Sequence, residues 1–84
     1  MDLKEYRKQI DEVDLELMEL FKRRMRISKA IGDYKKEHDI PIFDASREID
    51  VVIERREQFA DETLWPLYHR FLQLLFELSK EVQK

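Results

Sequence analysis

From Leu3 onward, apolar residues recur as Leu3, Tyr6, Ile10, Val13, Leu17, Leu20, Ile27, Ile31 and Tyr34, in steps that mostly alternate between three and four. Such spacing places one stripe along one face of an α-helix, the seam of a helix that packs lengthwise on another. Nothing interrupts the pattern before Gly32, and a lone Gly costs a helix only ~1 kcal/mol relative to Ala. The pattern therefore predicts one helix from Leu3 to about Lys36, about 50 Å long at ~1.5 Å per residue. Ile40-Pro41 stops it, because proline lacks a backbone donor and pushes the residue before it out of the helical region. The connection runs roughly from Glu37 to Phe43.

Asp44 is a good N-cap for a second helix, whose stripe of Ile49, Val52, Ile53 and Phe59 carries it to Gln58 or Phe59. Val51, Val52 and Ile53 are consecutive and β-branched, which suits a strand, but Arg47, Glu48, Glu54, Arg55, Arg56 and Glu57 around them neither alternate nor favour a sheet. After a turn at Asp61-Glu62-Thr63, Pro66 sits well in the first turn of a third helix. That helix carries Leu67, Phe71, Leu74, Leu75, Leu78 and Val82 to the C-terminus. The expected fold is all-α, with one long and two short helices in a single domain spanning residues 1–84.

Composition narrows the function classes. The 84 residues are 43% apolar and 42% charged, with one Gly and two Pro, too few turn residues for a β-sandwich or barrel. The absence of cysteine removes disulfide frameworks and thiolate metal sites, and neither His38 nor His69 has a second histidine at ligand spacing, so no metal is expected. A net charge of −3 weighs against nucleic acid or an anionic membrane as partner. No apolar run approaches the ~18 residues of a membrane span, and Met1-Asp2-Leu3-Lys4-Glu5 lacks a secretory signature. The expectation is a soluble, cytoplasmic protein. A domain this small buries only ~60% of the surface its unfolded chain exposes, so a second copy is expected to complete the core.

One position breaks the seam. The heptad stripe calls for an apolar residue at position 24 and finds Arg24. A charge on a buried stripe is costly unless it is paired or meets a ligand. Arg24 therefore snorkels outward, pairs with a carboxylate such as Asp14 or Glu48, or belongs to an anion site. Lys35, eleven residues on, is rotated from it by only ~20° and displaced by ~16 Å, so two cations share one inward-leaning face. Asp44, Arg47 and Glu48 share a face of the second helix, and Ser79 and Gln83 one of the third; N-capping and solvation account for each singly. Lys22-Arg23-Arg24-Met25-Arg26 points in all directions on a helix, and no Gly-rich loop or Ser-His-Asp set is present. Trp65, Tyr68, Phe71 and Phe76 suit a core or an interface better than a stacking platform.

Taken together, Arg7-Lys8-Gln9-Ile10-Asp11-Glu12-Val13-Asp14, then Leu17, Leu20, Arg24, Gly32 and Lys35, resemble the first helix of the all-helical (AroQ type) chorismate mutases. The resemblance continues through Pro41-Ile42 and Asp44-Ala45-Ser46-Arg47-Glu48, resumes at Leu72-Gln73-Leu74-Leu75, and ends on Ser79 and Gln83. It implies three helices per chain intertwined in a homodimer with two active sites, and rearrangement of chorismate to prephenate in aromatic amino acid (Phe/Tyr) biosynthesis. It also implies roles. Arg7 and Arg24 would bind the two substrate carboxylates, bidentate in a way lysine cannot match. Lys35 would reach a carboxylate and the ether oxygen, and Gln83 would donate to that oxygen. Glu48, near Asp44, would accept from the ring hydroxyl, and Arg47 and Ser79 would complete the polar wall. A unimolecular pericyclic shift needs no nucleophile or cofactor, only a held conformer and stabilised charge.

Arg7 and Arg24 lie seventeen residues apart, hence ~25 Å along one helix and about 100° around it. If both hold one small molecule, they come from different chains whose long helices run antiparallel. Two other readings stand beside the mutase: an isochorismate pyruvate lyase of the same fold, and a non-catalytic helical dimerisation module in which Arg24 and Lys35 merely pair with acids. With no second catalytic or regulatory domain in these 84 residues, a stand-alone module is expected.

Overall fold

A computed structural model describes residues 1–84 as three helices, α1 (Leu3–Glu37), α2 (Ala45–Phe59) and α3 (Trp65–Gln83), without strands. The boundaries follow local chemistry. Asp2 caps α1 by accepting from the Glu5 N–H at 3.0 Å. At the other end, Lys35 and Lys36 complement the helix dipole, and the His38 N–H donates to the Tyr34 carbonyl at 3.1 Å. Asp39, at φ 53°, then turns the chain toward Pro41. Asp44 caps α2 by accepting from the Arg47 N–H at 3.0 Å, and Ala60, at φ 55°, ends it. In the following turn Asp61 accepts from the Leu64 N–H at 3.0 Å, and Pro66 lies in the first turn of α3. The exposed Arg56–Glu62 pair, 2.6 Å apart, bridges this turn; their hydrogen bond lowers the Glu62 pKa and raises that of Arg56.

α3 is the central element and packs on both other helices. Its contacts with α1 keep one offset: Arg24 meets Leu75, Ser28 meets Ser79, and Gly32 meets Gln83. A constant separation in sequence means that α1 and α3 run parallel along this stretch. On its other side, α3 joins α2 in a core of Val51, Trp65, Leu72 and Phe76, against which Val52, Phe59 and Tyr68 pack. The Phe59 ring lies 4.8 Å from Tyr68 and 5.9 Å from Trp65.

The predicted apolar stripes differ from the observed core in a systematic way. Leu67, Phe71 and Leu74 of α3 are exposed, while Leu72, Leu75 and Phe76 are buried. In α2 the buried residue is Val51, and Ile49 and Ile53 face outward. α3 carries apolar residues around more than half its circumference, so periodicity finds the arc without saying which half this chain covers. The α1 seam is bare: Leu3, Ile10 and Leu17 are 61%, 59% and 48% exposed, and nothing before Arg24 reaches even intermediate burial. The radius of gyration, 16.0 Å, exceeds the ~12 Å of a compact chain of this length, and the molecule measures 55 × 26 × 16 Å. No helix is long and apolar enough to cross a membrane.

Because Leu72 is the least exposed residue of the small core, at 3%, Leu72→Ala should lower the unfolding free energy by ~2–5 kcal/mol in urea titrations. A loss below ~1 kcal/mol would show that the stabilising core lies elsewhere.

Candidate active site

All three helices contribute to one cavity of about 330 Å³. α1 presents Arg24, Ser28, Ile31 and Lys35, at steps of four, three and four along one face. α2 presents Asp44, Arg47, Glu48, Val51 and Arg55, and α3 presents Phe76, Ser79, Lys80 and Gln83. Ile42 closes the set from the α1–α2 connection. Five cationic side chains face two carboxylates here, so the cavity is positive inside a chain of net charge −3.

Arg24 sits at the α1–α3 contact. Its Nη1 donates to Ser79 Oγ at 2.5 Å and to the Leu75 carbonyl at 3.4 Å, while the Ser28 hydroxyl donates to Ser79 Oγ at 3.0 Å. Burial pulls the Arg24 pKa below its ordinary value; Arg55 pulls it further down, and Tyr68 opposes the shift. The guanidinium thus stays charged, short of counter-charge, and held by neutral acceptors. Asp14 and Glu48, its possible acid partners, make no such pair. Glu48 instead lies 3.1 Å from Lys80, whose ammonium sits 4.5 Å from the centre of the Phe43 ring.

Lys35 donates from Nζ to the Ile42 carbonyl at 2.9 Å, so the connection steadies an ammonium that lines the cavity. Asp44 faces the cavity while its Oδ1 caps α2, so the capping and site readings hold together. Gln83 is partly buried, and its Oε1 has no hydrogen-bond partner. An unpartnered buried carboxamide oxygen signals a group whose polar capacity the chain itself does not use.

Seven of the eight site residues expected from the sequence therefore share one cavity: Arg24, Lys35, Asp44, Arg47, Glu48, Ser79 and Gln83. Arg7 does not; it lies on the exposed N-terminal half of α1, ~25 Å along the axis from Arg24. His38 and His69 lie outside the cavity, His38 stacked on Tyr34 and His69 on Trp65. Sequence reasoning missed Ser28, Arg55 and Lys80. Each had a signal, since Ser28 follows Arg24 by four, Arg55 follows Val51 by four and Lys80 follows Phe76 by four.

A parallel α1–α3 pair bridged by α2, with cations, carboxylates and a carboxamide lining one cavity, defines an all-helical domain with a single polar, cation-rich site. The family described as chorismate mutase type II matches residues 6–84, and the chain belongs to it. Over 87 residues it is 32% identical to the chorismate mutase of Methanocaldococcus jannaschii, covering 98% of this chain and 84% of that protein. It is 28% identical over 90 residues to the bifunctional chorismate mutase/prephenate dehydratase of Aquifex aeolicus, and 39% identical over 54 residues to the T-protein of Haemophilus influenzae. Those alignments span 98% and 64% of this chain, but only 25% and 14% of the two larger proteins. A solved structure of a conserved hypothetical protein from Pyrococcus furiosus superposes with a TM-score of 0.73 at 35% identity, over 98% of this chain and 95% of that one.

Ser79→Ala should remove the acceptor shared by Arg24 and Ser28, leaving the buried Ser28 hydroxyl unmet and Arg24 Nη1 with only its longer contact to the Leu75 carbonyl. The expected cost is ~1–3 kcal/mol in denaturant unfolding. Ser28→Ala combined with Ser79→Ala should cost less than the sum of the single variants, because the pair acts as one unit. Strict additivity would mean that the two hydroxyls do not interact.

Proposed function

We propose that the protein isomerises chorismate to prephenate, within aromatic amino acid biosynthesis, and does so as a homodimer with shared active sites. The observation that carries this reading is the convergence of Arg24, Lys35, Asp44, Arg47, Glu48, Ser79 and Gln83 on one cavity. In the reaction one carbon–oxygen bond breaks as one carbon–carbon bond forms, electrons moving around a single ring. The protein must hold the compact conformer of a dianion and offset negative charge growing on the ether oxygen.

Arg24 receives one carboxylate and gains the counter-charge it lacks in the free site. Lys35 turns from the Ile42 carbonyl toward a carboxylate and the ether oxygen. Gln83, which lines the cavity, donates from its Nε2 to the ether oxygen. Glu48 keeps lone pairs free of Lys80 to accept from the ring hydroxyl. Asp44, Arg47 and Ser79 complete the wall, and Arg55 and Lys80 add positive potential. The partner's Arg7 takes the second carboxylate. This last assignment rests on the distance between Arg7 and Arg24, which exceeds the substrate, and on the bare apolar seam of α1, which needs a second helix. The exposed apolar residues of α3 and the elongated shape favour the same arrangement.

Purified protein should consume chorismate in a continuous ultraviolet assay and form prephenate; release of pyruvate from isochorismate without prephenate formation would instead establish the lyase. Lys35→Ala and Gln83→Ala should each lower kcat on the order of 10²-fold, with smaller changes in KM, because both groups meet charge that develops in the transition state. Raised KM at unchanged kcat would contradict those roles. Mixing Arg7→Ala chains with Arg24→Ala chains should restore one intact site per heterodimer. Failure of recovery after verified subunit exchange would argue against sites shared between chains.

A further inference from the structure

Gly32 is buried on the α1 face that meets α3. A Cβ built on it would stand 2.6 Å from the Gln83 Cα, 2.9 Å from the Gln83 Cβ and 2.9 Å from the Gln83 carbonyl oxygen. Two of these three neighbours are backbone atoms, so no rotamer change at position 83 relieves the overlap. Gly32 has ordinary helical backbone, and its value here is the missing side chain, not conformational freedom. The cost of Gly within a helix, ~1 kcal/mol relative to Ala, is accepted where a close backbone approach is needed. The approach occurs at the last residue of α3, where a helix end otherwise frays.

We infer that Gly32 is a positioning residue for Gln83: the notch it leaves in α1 seats the end of α3 and holds the Gln83 carboxamide in the cavity. Two features converge on this. The Ser28–Ser79 contact one turn earlier keeps the two helices close, and the offset that aligns it also aligns Gly32 with Gln83. The carboxamide is partly buried with its oxygen unpartnered, so its place is set by the seating of the backbone and not by hydrogen bonds of its own oxygen. A Cβ at position 32 would push the α3 end outward and draw Gln83 away from the reacting oxygen, with Arg24 and Lys35 undisturbed.

The consequence for catalysis rests on the mutase reading, and two experiments separate the inference from it. In the first, steady-state kinetics with chorismate compares the wild type, Gly32→Ala, Gln83→Ala and the double variant, each confirmed folded by circular dichroism. Gly32→Ala should lower kcat by about 10- to 100-fold with KM changed by less than about 3-fold, the loss of one transition-state donor. In the Gln83→Ala background the same substitution should change kcat by less than about 3-fold, because its effect runs through Gln83. An equal loss in both backgrounds, or an unchanged kcat, overturns the inference. In the second, amide hydrogen exchange on the wild-type protein reads the seating without any substitution or activity. The Val82 and Gln83 amides should exchange at least about tenfold more slowly than in an unstructured chain. Exchange at the unstructured rate overturns the inference, whereas a wild type inert toward chorismate overturns the mutase reading alone.

Discussion

Two helices running parallel at close range, α1 against α3 through Ser28, Gly32, Ser79 and Gln83, set the terms for everything else in this protein. Helices that meet through large side chains lie 8–10 Å apart. Here the contact is made by a glycine and two serines, and backbone comes close enough that even one methyl group at position 32 would overlap α3. That approach fixes the offset between the helices. The offset in turn decides that Arg24 points at Ser79 and that Lys35 and Gln83 border the same cavity.

The same contact explains an electrostatic cost. Arg24 is drawn out of water with neutral acceptors in place of a carboxylate, and Arg55 stands near enough to oppose its charge. Partly burying a guanidinium on these terms works against the stability of the empty protein. A bound anion would offset that cost, which makes the broken heptad intelligible as a site rather than a defect. Within the cavity Glu48 is matched by Lys80, while Glu62 and Asp33 pair with Arg56 and Lys29 on outer surfaces, so Arg24, Lys35, Arg47 and Arg55 leave the site cationic. Net charge and local field therefore have opposite signs, and the sum over the sequence says little about the cavity.

Shape follows from the length of α1. Thirty-five residues in one helix are too many for two short helices to cover, and the N-terminal half projects with its apolar stripe bare. The helix that supplies Arg24 and Lys35 is thus also the least satisfied element of the single chain. In the homodimer proposed for it, the projecting half would cover a second copy's cavity and deliver Arg7, so core completion and site completion become one event.

Local physics made much of this legible in advance. Periodicity of three and four located the helices, and Asp44, Pro41 and Pro66 marked their ends, because capping and backbone sterics act within a few residues. The wrong residue on a good stripe exposed Arg24, and the order of polar residues pointed to the family. What one dimension could not supply was rotation and offset between helices. The identity of Arg24's partner, the recruitment of Arg55 and Lys80, and the choice of Leu72 and Phe76 over Leu67 and Phe71 as core depend on which arc of each helix turns inward. Residue order alone fixes where the helices run, how they end and which charges sit on a common face. Which faces meet is settled by packing in three dimensions, because that choice belongs to contacts 51 residues apart, governed by how closely two backbones can approach.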